Sequence, residues 1–138
     1  ENLNAVICVD QCNGMMFNGR RQSRDLKQRE DLCRLLEGKD LYLSPYSSDL
    51  FAGLSGPRIT VSPRYLEICT EDGWCYIEDG DINRYFKQVE KLIIYQWNRR
   101  YPADVFFTES LDTFRMKEQK EFPGSSHDRI TRLMLERI

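Results

Sequence analysis

The sequence predicts a three-layer α/β fold, a mixed, mostly parallel sheet between helices with an antiparallel hairpin at its C-terminal edge. Three observations point there. Ala5-Val-Ile-Cys-Val9 is a short, wholly apolar run, as expected of a strand covered on both faces. Strand-like and helix-like segments then alternate as far as Tyr95. Beyond that point Phe114 to Glu121 is polar and extended, and Ile130 to Glu136 alternates loosely, which suits antiparallel strands with one wet face. The chain of 138 residues is read as one domain over 1–138, without internal repeat or low-complexity stretch.

Each element has a local reason. After the first strand, Asn13-Gly14 and Asn18-Gly19 mark a loop with tight turns. From about Arg24 the spacing of Leu26, Leu32, Cys33, Leu35 and Leu36 predicts a helix with those residues on one side, and Gly38 stops it. Leu41-Tyr-Leu43 is the second strand, and Ser47 to Leu54 a short helix. Phe51 to Pro57 concentrates glycine, serine and proline, which makes it a loop. Arg58 to Ser62 is the third strand. Ser62 then caps a short helix in which Pro63 takes the first position, where its missing N–H is not needed. Trp74-Cys-Tyr-Ile77 is the fourth strand, Asp81 opens a helix to about Val89, and Lys91-Leu-Ile-Ile-Tyr95 is the fifth strand.

Composition excludes several classes. Hydrophobic residues make up 41% and charged residues 30%, and 20 basic against 22 acidic side chains leave a net charge of −2. That balance gives no general attraction to nucleic acid or anionic lipid. No apolar run approaches the roughly 20 residues needed to span a bilayer. With no cationic leader and 5 cysteines at spacings that match no disulfide framework, the expectation is reduced thiols in the cytoplasm. No second close Cys or His pair completes a tetrahedral set, so no metal is expected.

Four segments share an order with a known family. Val9-Asp-Gln-Cys-Asn-Gly-Met-Met-Phe-Asn-Gly19 resembles the opening of dihydrofolate reductases. Leu54 to Ser62 is similar to the family's Leu-Pro-Gly-Arg-Lys-Asn-Ile-Val-Leu-Ser segment, and Tyr101 to Phe107 to its Gly-Asp-Thr-Phe-Phe-Pro segment. Leu111 to Phe122 is similar to its final hairpin strand. The resemblance implies a dihydrofolate-reductase-like fold with a pterin- or nucleotide-like small-molecule site at the mouth of the sheet. It also implies NADPH as hydride donor to a conjugated ring.

The departures bear on the cofactor. Where the family's fourth strand ends in Gly-Gly beside the cofactor pyrophosphate, this chain has Glu78-Asp79, two carboxylates where phosphates would lie. Where the family has a Gly-Arg-x-Thr run, this chain has Ser44-Pro-Tyr-Ser-Ser48 without an arginine. The chain is also shorter than a typical member, around the third and fourth strands. Conventional NADPH binding is therefore disfavoured, and a non-catalytic ligand-binding or interaction domain is the alternative.

The resemblance implies a role for Asp25, at the start of the long helix, as the carboxylate that anchors and polarises a pterin ring. An acid stabilised by the helix macrodipole is the ordinary reading of the same residue. Met15, Phe17 and Asn18 would line the covering loop, and Arg58 would lie near a folate tail carboxylate. Arg20, Arg21 and Arg24 are candidates for an anion site, or else are neutralised by Asp25, Glu30 and Asp31 along the helix. His127, in the turn Pro123-Gly-Ser-Ser-His127, is expected to be an exposed turn residue. A divalent-ion hydrolase would require Asp10, Asp25, Glu78 and Asp79 to converge.

Overall fold

The computed structural model describes residues 2–138. Its main sheet has seven strands in the order β5-β4-β6-β1-β7-β10-β9. These are β1 Leu3–Val9, β4 Asp40–Leu43, β5 Arg58–Val61, β6 Trp74–Tyr76, β7 Val89–Gln96, β9 Phe114–Phe122 and β10 Ile130–Arg137. The first five strands in chain order pair in parallel, and β10 runs antiparallel to both β7 and β9. β1 sits inside the sheet, with Val6 opposite Tyr76 on one side and Ile93 on the other. This explains why its sequence is apolar throughout: both faces are covered.

The helices are short except for α1, Leu26–Leu35. α2 covers Pro45–Ser48, α3 Tyr65–Ile68 and α4 Ile82–Tyr85, with single 3-10 turns at Asp49–Phe51 and Phe86–Gln88. The apolar core divides into two layers. On the α1 face, Leu32, Cys33 and Leu36 pack with Val6, Leu41, Ile93 and Tyr95. On the other face, Ile7, Val9, Cys75, Leu92 and Ile94 pack with Phe86 and Phe107. No helix among the described residues is long and apolar enough to cross a membrane.

Several details differ from the sequence expectation. Asn13 to Gly19 is not only a loop: β2, Gly14–Phe17, and β3, Arg20–Arg21, join β8, Val105–Phe106, in a small antiparallel sheet. Leu26 is 43% exposed instead of buried, because it is the first helical residue and its N–H is turned toward Ser125 Oγ, 2.9 Å away. The helix placed at Ser47 to Leu54 begins earlier, where Pro45 occupies the first position of α2 and Ser44 precedes it. Ser62 Oγ does accept the Arg64 N–H at 3.0 Å, though the helix itself starts at Tyr65.

Candidate functional site

The parallel strands end together at Val9, Leu43, Val61, Tyr76 and Gln96, and the loops that follow them form the mouth of the sheet. Asp10, just after β1, is the hub of these loops. Its Oδ1 accepts the Cys12 and Gly14 N–H groups, both at 2.8 Å, and its Oδ2 accepts Gln22 Nε2 at 3.0 Å and the Tyr101 N–H at 3.1 Å. Burial alone would raise its pKa, but these donors outweigh it and hold the carboxyl below the usual range. Gly14 is required here, since a Cβ would stand 2.6 Å from Ala103 Cβ and 3.1 Å from Asp10 Oδ1.

Asp25 is the N-cap of α1, with extended backbone and a carboxylate turned inward. Oδ1 accepts from the N–H groups of Lys27 at 2.9 Å and Gln28 at 3.3 Å, and from Ser125 N and Oγ at 2.9 and 3.0 Å. Oδ2 accepts from Ser126 N at 2.7 Å and Oγ at 3.1 Å, and meets His127 Nδ1 at 3.0 Å. The β9–β10 turn thus wraps the carboxylate completely. Gly124 permits the wrap, because a Cβ there would collide with Asp25 Oδ2. Burial pushes the Asp25 pKa up, yet the Ser125 and Ser126 N–H groups and His127 bring it well below the ordinary carboxylate range.

His127 is the largest correction to the sequence reading. Its side chain is 1% exposed, stacked on Trp97 with ring centroids 4.6 Å apart at 15°. Its Nε2 lies 3.1 Å from Ser23 Oγ and 3.0 Å from Tyr101 OH. Ser23, His127 and Asp25 therefore have the hydrogen-bond order of a nucleophile, base and orienting acid. Space decides against that use: the cavity beside Ser23, walled by Cys8, Met15, Arg21, Ile77, Glu78 and Trp97, holds about 10 Å³, roughly one water. The imidazole acts as a buried clamp between α1 and the C-terminal hairpin.

Of the anion-binding candidates, Arg21 has a carboxylate partner. Arg21 makes a bidentate pair with Glu78, Nε–Oε2 2.8 Å and Nη2–Oε1 2.9 Å, and lies 4.3 Å over the Tyr46 ring. Ser47 Oγ donates to Glu78 Oε1 at 2.6 Å, and Ser44 Oγ donates to Asp79 Oδ1 at 2.8 Å. The two segments that would flank a pyrophosphate in the family thus bond directly to each other. Burial also pushes the Cys8 thiol, which faces Tyr76 OH at 3.5 Å, up to about 12.

The other candidates fall in different places. Met15 is buried in the core. Phe17, Asn18 and Arg20 line an open groove of about 450 Å³ with Arg21, Tyr101 and Pro102, which adjoins a second groove of about 560 Å³ bounded by Phe106 and Arg100. Arg24 is exposed and its carbonyl accepts Ser126 Oγ. Arg58 opens β5, at the end of the sheet away from this mouth, and pairs with Asp40 at 2.8 Å. The acids thought to neutralise the arginines have other partners: Asp31 takes Arg132 and Arg34, and Glu30 takes Lys27. Asp10, Asp25, Glu78 and Asp79 do not converge, and among the described residues no three His, Cys, Asp or Glu side chains group as metal ligands.

Sequence reasoning passed over Gln28 as well as Ser23 and Tyr101. Gln28 is buried one turn into α1, its Oε1 3.4 Å from Tyr76 OH and its Nε2 without a partner. The only sequence signal for the His127 clamp was Gly124-Ser-Ser126, small residues with enough donors to encircle an anion.

Comparison with known proteins agrees with this architecture. No protein-family model and no curated protein sequence matches the chain. Among solved structures, the chain is similar to dihydrofolate reductase from Enterococcus faecalis complexed with NADP(H) and RAB-propyl. The TM-score is 0.65 at 12% identity, covering 99% of this chain and 96% of that one. The chain has the dihydrofolate reductase fold, in accord with the resemblance read from its sequence, and at this identity the likeness speaks to the fold alone.

Proposed function

We propose that this chain is a non-catalytic binding domain on the dihydrofolate reductase fold, its hydride-transfer cleft closed by its own side chains. One observation carries the reading: open space at the mouth lies in the grooves at Phe17 and Phe106 and in a cavity of about 370 Å³ at Ser44, Arg64 and Asp79, whereas the space between Cys8, Ile77 and Trp97 holds about 10 Å³, against roughly 300–1,000 Å³ for drug-sized ligand sites. Neither a pterin nor a nicotinamide ring fits there. Two further features support it. The Asp25 carboxylate is fully engaged with protein donors, and the Glu78 and Asp79 carboxylates are bound by Ser47 and Ser44 where a cofactor would bring phosphates.

The test is a calorimetric titration with NADPH at low salt, together with an NADPH-oxidation assay on dihydrofolate. The expected result is no saturable binding up to millimolar cofactor and no turnover. Micromolar binding with turnover would overturn the proposal.

A second reading, a small-molecule site outside the cleft, is favoured by the paired grooves where Phe17 and Phe106 stand 41% and 39% exposed beside Arg20 and Arg100. Exposed rings flanked by guanidiniums suit a flat anionic compound. Titration with folate tests it. Binding that is lost in the Phe17→Ala/Arg20→Ala double variant would assign the ligand to the groove. Binding untouched by that variant would return it to the cleft and count against closure.

A further inference from the structure

At the opposite end of the sheet from this mouth lies an apolar cleft of about 290 Å³. Its floor is Leu35 and Leu36 at the end of α1, Trp74 at the start of β6, Ile93 of β7 and Met134 of β10. Leu36, Trp74 and Ile93 are buried core residues, while Leu35 and Met134 are only half-buried. The rim is charged: Lys39, Lys91 and Lys117 surround it, with Glu136 the one acid that lines it. None of these four side chains enters an ion pair among the described residues.

We propose that this cleft binds a free fatty-acid anion of medium length, its chain on the Trp74, Ile93 and Met134 floor and its carboxylate among the lysines. Charge complementarity selects the head group, because three ammoniums against one carboxylate leave the rim net positive. Size limits the chain: at about 290 Å³ the cleft lies at the small end of the roughly 300–1,000 Å³ of small-molecule sites, which suits a medium chain. The site is independent of the closed mouth, and its test is independent too.

Calorimetric titration of the full chain with sodium decanoate, below its micelle concentration, should give saturable one-to-one binding. Octanoate should bind about fifteenfold more weakly, since each methylene lost from an apolar site weakens binding about fourfold. Decyltrimethylammonium, with the same chain and the opposite charge, should not bind. The Lys39→Gln/Lys91→Gln/Lys117→Gln variant, altered only at exposed side chains, should weaken decanoate at least tenfold. Leu35→Trp should fill the cleft and abolish binding, with a native melting profile as its control.

The proposal is overturned if decanoate does not saturate, if the cationic analogue binds as well, or if the lysine variant is unaffected. Association of the chain with itself through this face would also exclude decanoate, and light scattering would show it.

Discussion

Replacing Asp25 by alanine separates a structural carboxylate from a ligand-binding one. The substitution removes the α1 cap, which costs about 1 kcal/mol on its own. It also leaves the backbone N–H groups of Ser125 and Ser126 and the His127 ring without their acceptor, at roughly 1–3 kcal/mol for each buried donor that finds no other. The hydroxyls can partly re-pair, as Ser126 Oγ already does with the Arg24 carbonyl. The sum is not additive, and about 3–5 kcal/mol is expected for losing the cap and the acceptor of several buried donors together. Urea unfolding measures it: with a slope near 1–3 kcal/mol per molar, the midpoint should fall by about 2 M. Asp25→Asn should be milder, about 2–3 kcal/mol, because its amide would face the Ser126 N–H with a second donor.

The pH dependence carries the same signature. Asp25 has a folded pKa below its unfolded one, so its contribution is complete above the unfolded value near pH 4 and is lost as pH falls below that. The Asn variant should show a flatter acid limb. A loss under about 0.5 kcal/mol, or a gain of stability such as accompanies removal of a strained active-site group, would refute the clamp.

Three further outcomes are expected. Glu78→Gln should lower stability by about 1–2 kcal/mol in thermal melting, because the Arg21 pair is bidentate yet partly open to water, and it should not restore NADPH binding. Phe86→Ala should cost about 3–5 kcal/mol, since the ring packs at 5.4 and 5.2 Å on Phe107 and Phe114; melting would fall by about 10–20 °C. In native buffer at pH 8 a thiol reagent should label exposed Cys12 first, and Cys8 and Cys33, raised by burial, and Cys75, raised by its hydrogen bond with Cys69 and by burial, only on unfolding; mass spectrometry of the labelled peptides reads the order.

What was legible in the sequence was whatever repeats locally. The apolar β1, the α1 stripe from Leu32 to Leu36 and the polar hairpin carry their periodicity in consecutive residues. β3 and β8, with two residues each, are too short to carry one. Asp25 was readable as a helix-start acid, because capping is local. Its enclosure was not, because Ser125 to His127 arrive from about a hundred positions away. His127 looked exposed for the same reason: turn chemistry predicts the turn, not the surface onto which it folds. Glu78 and Asp79 were legible as an obstacle to phosphate, while the donors that fix them, Arg21, Ser44 and Ser47, became visible only in three dimensions.

The place of β1 in the sheet also bears on how the chain comes to be folded. The strand precedes both of its neighbours, β6 and β7, in the chain, so its last partner, Gln96, is made long after it. Until then seven consecutive residues with little polarity and two unsatisfied edges wait in solution. Such a topology folds slowly, because distant segments must meet before any central pairing is rewarded. A nascent chain halted before β7 should therefore be a holdase client, and synthesis at high concentration should favour aggregates seeded by β1 over native molecules.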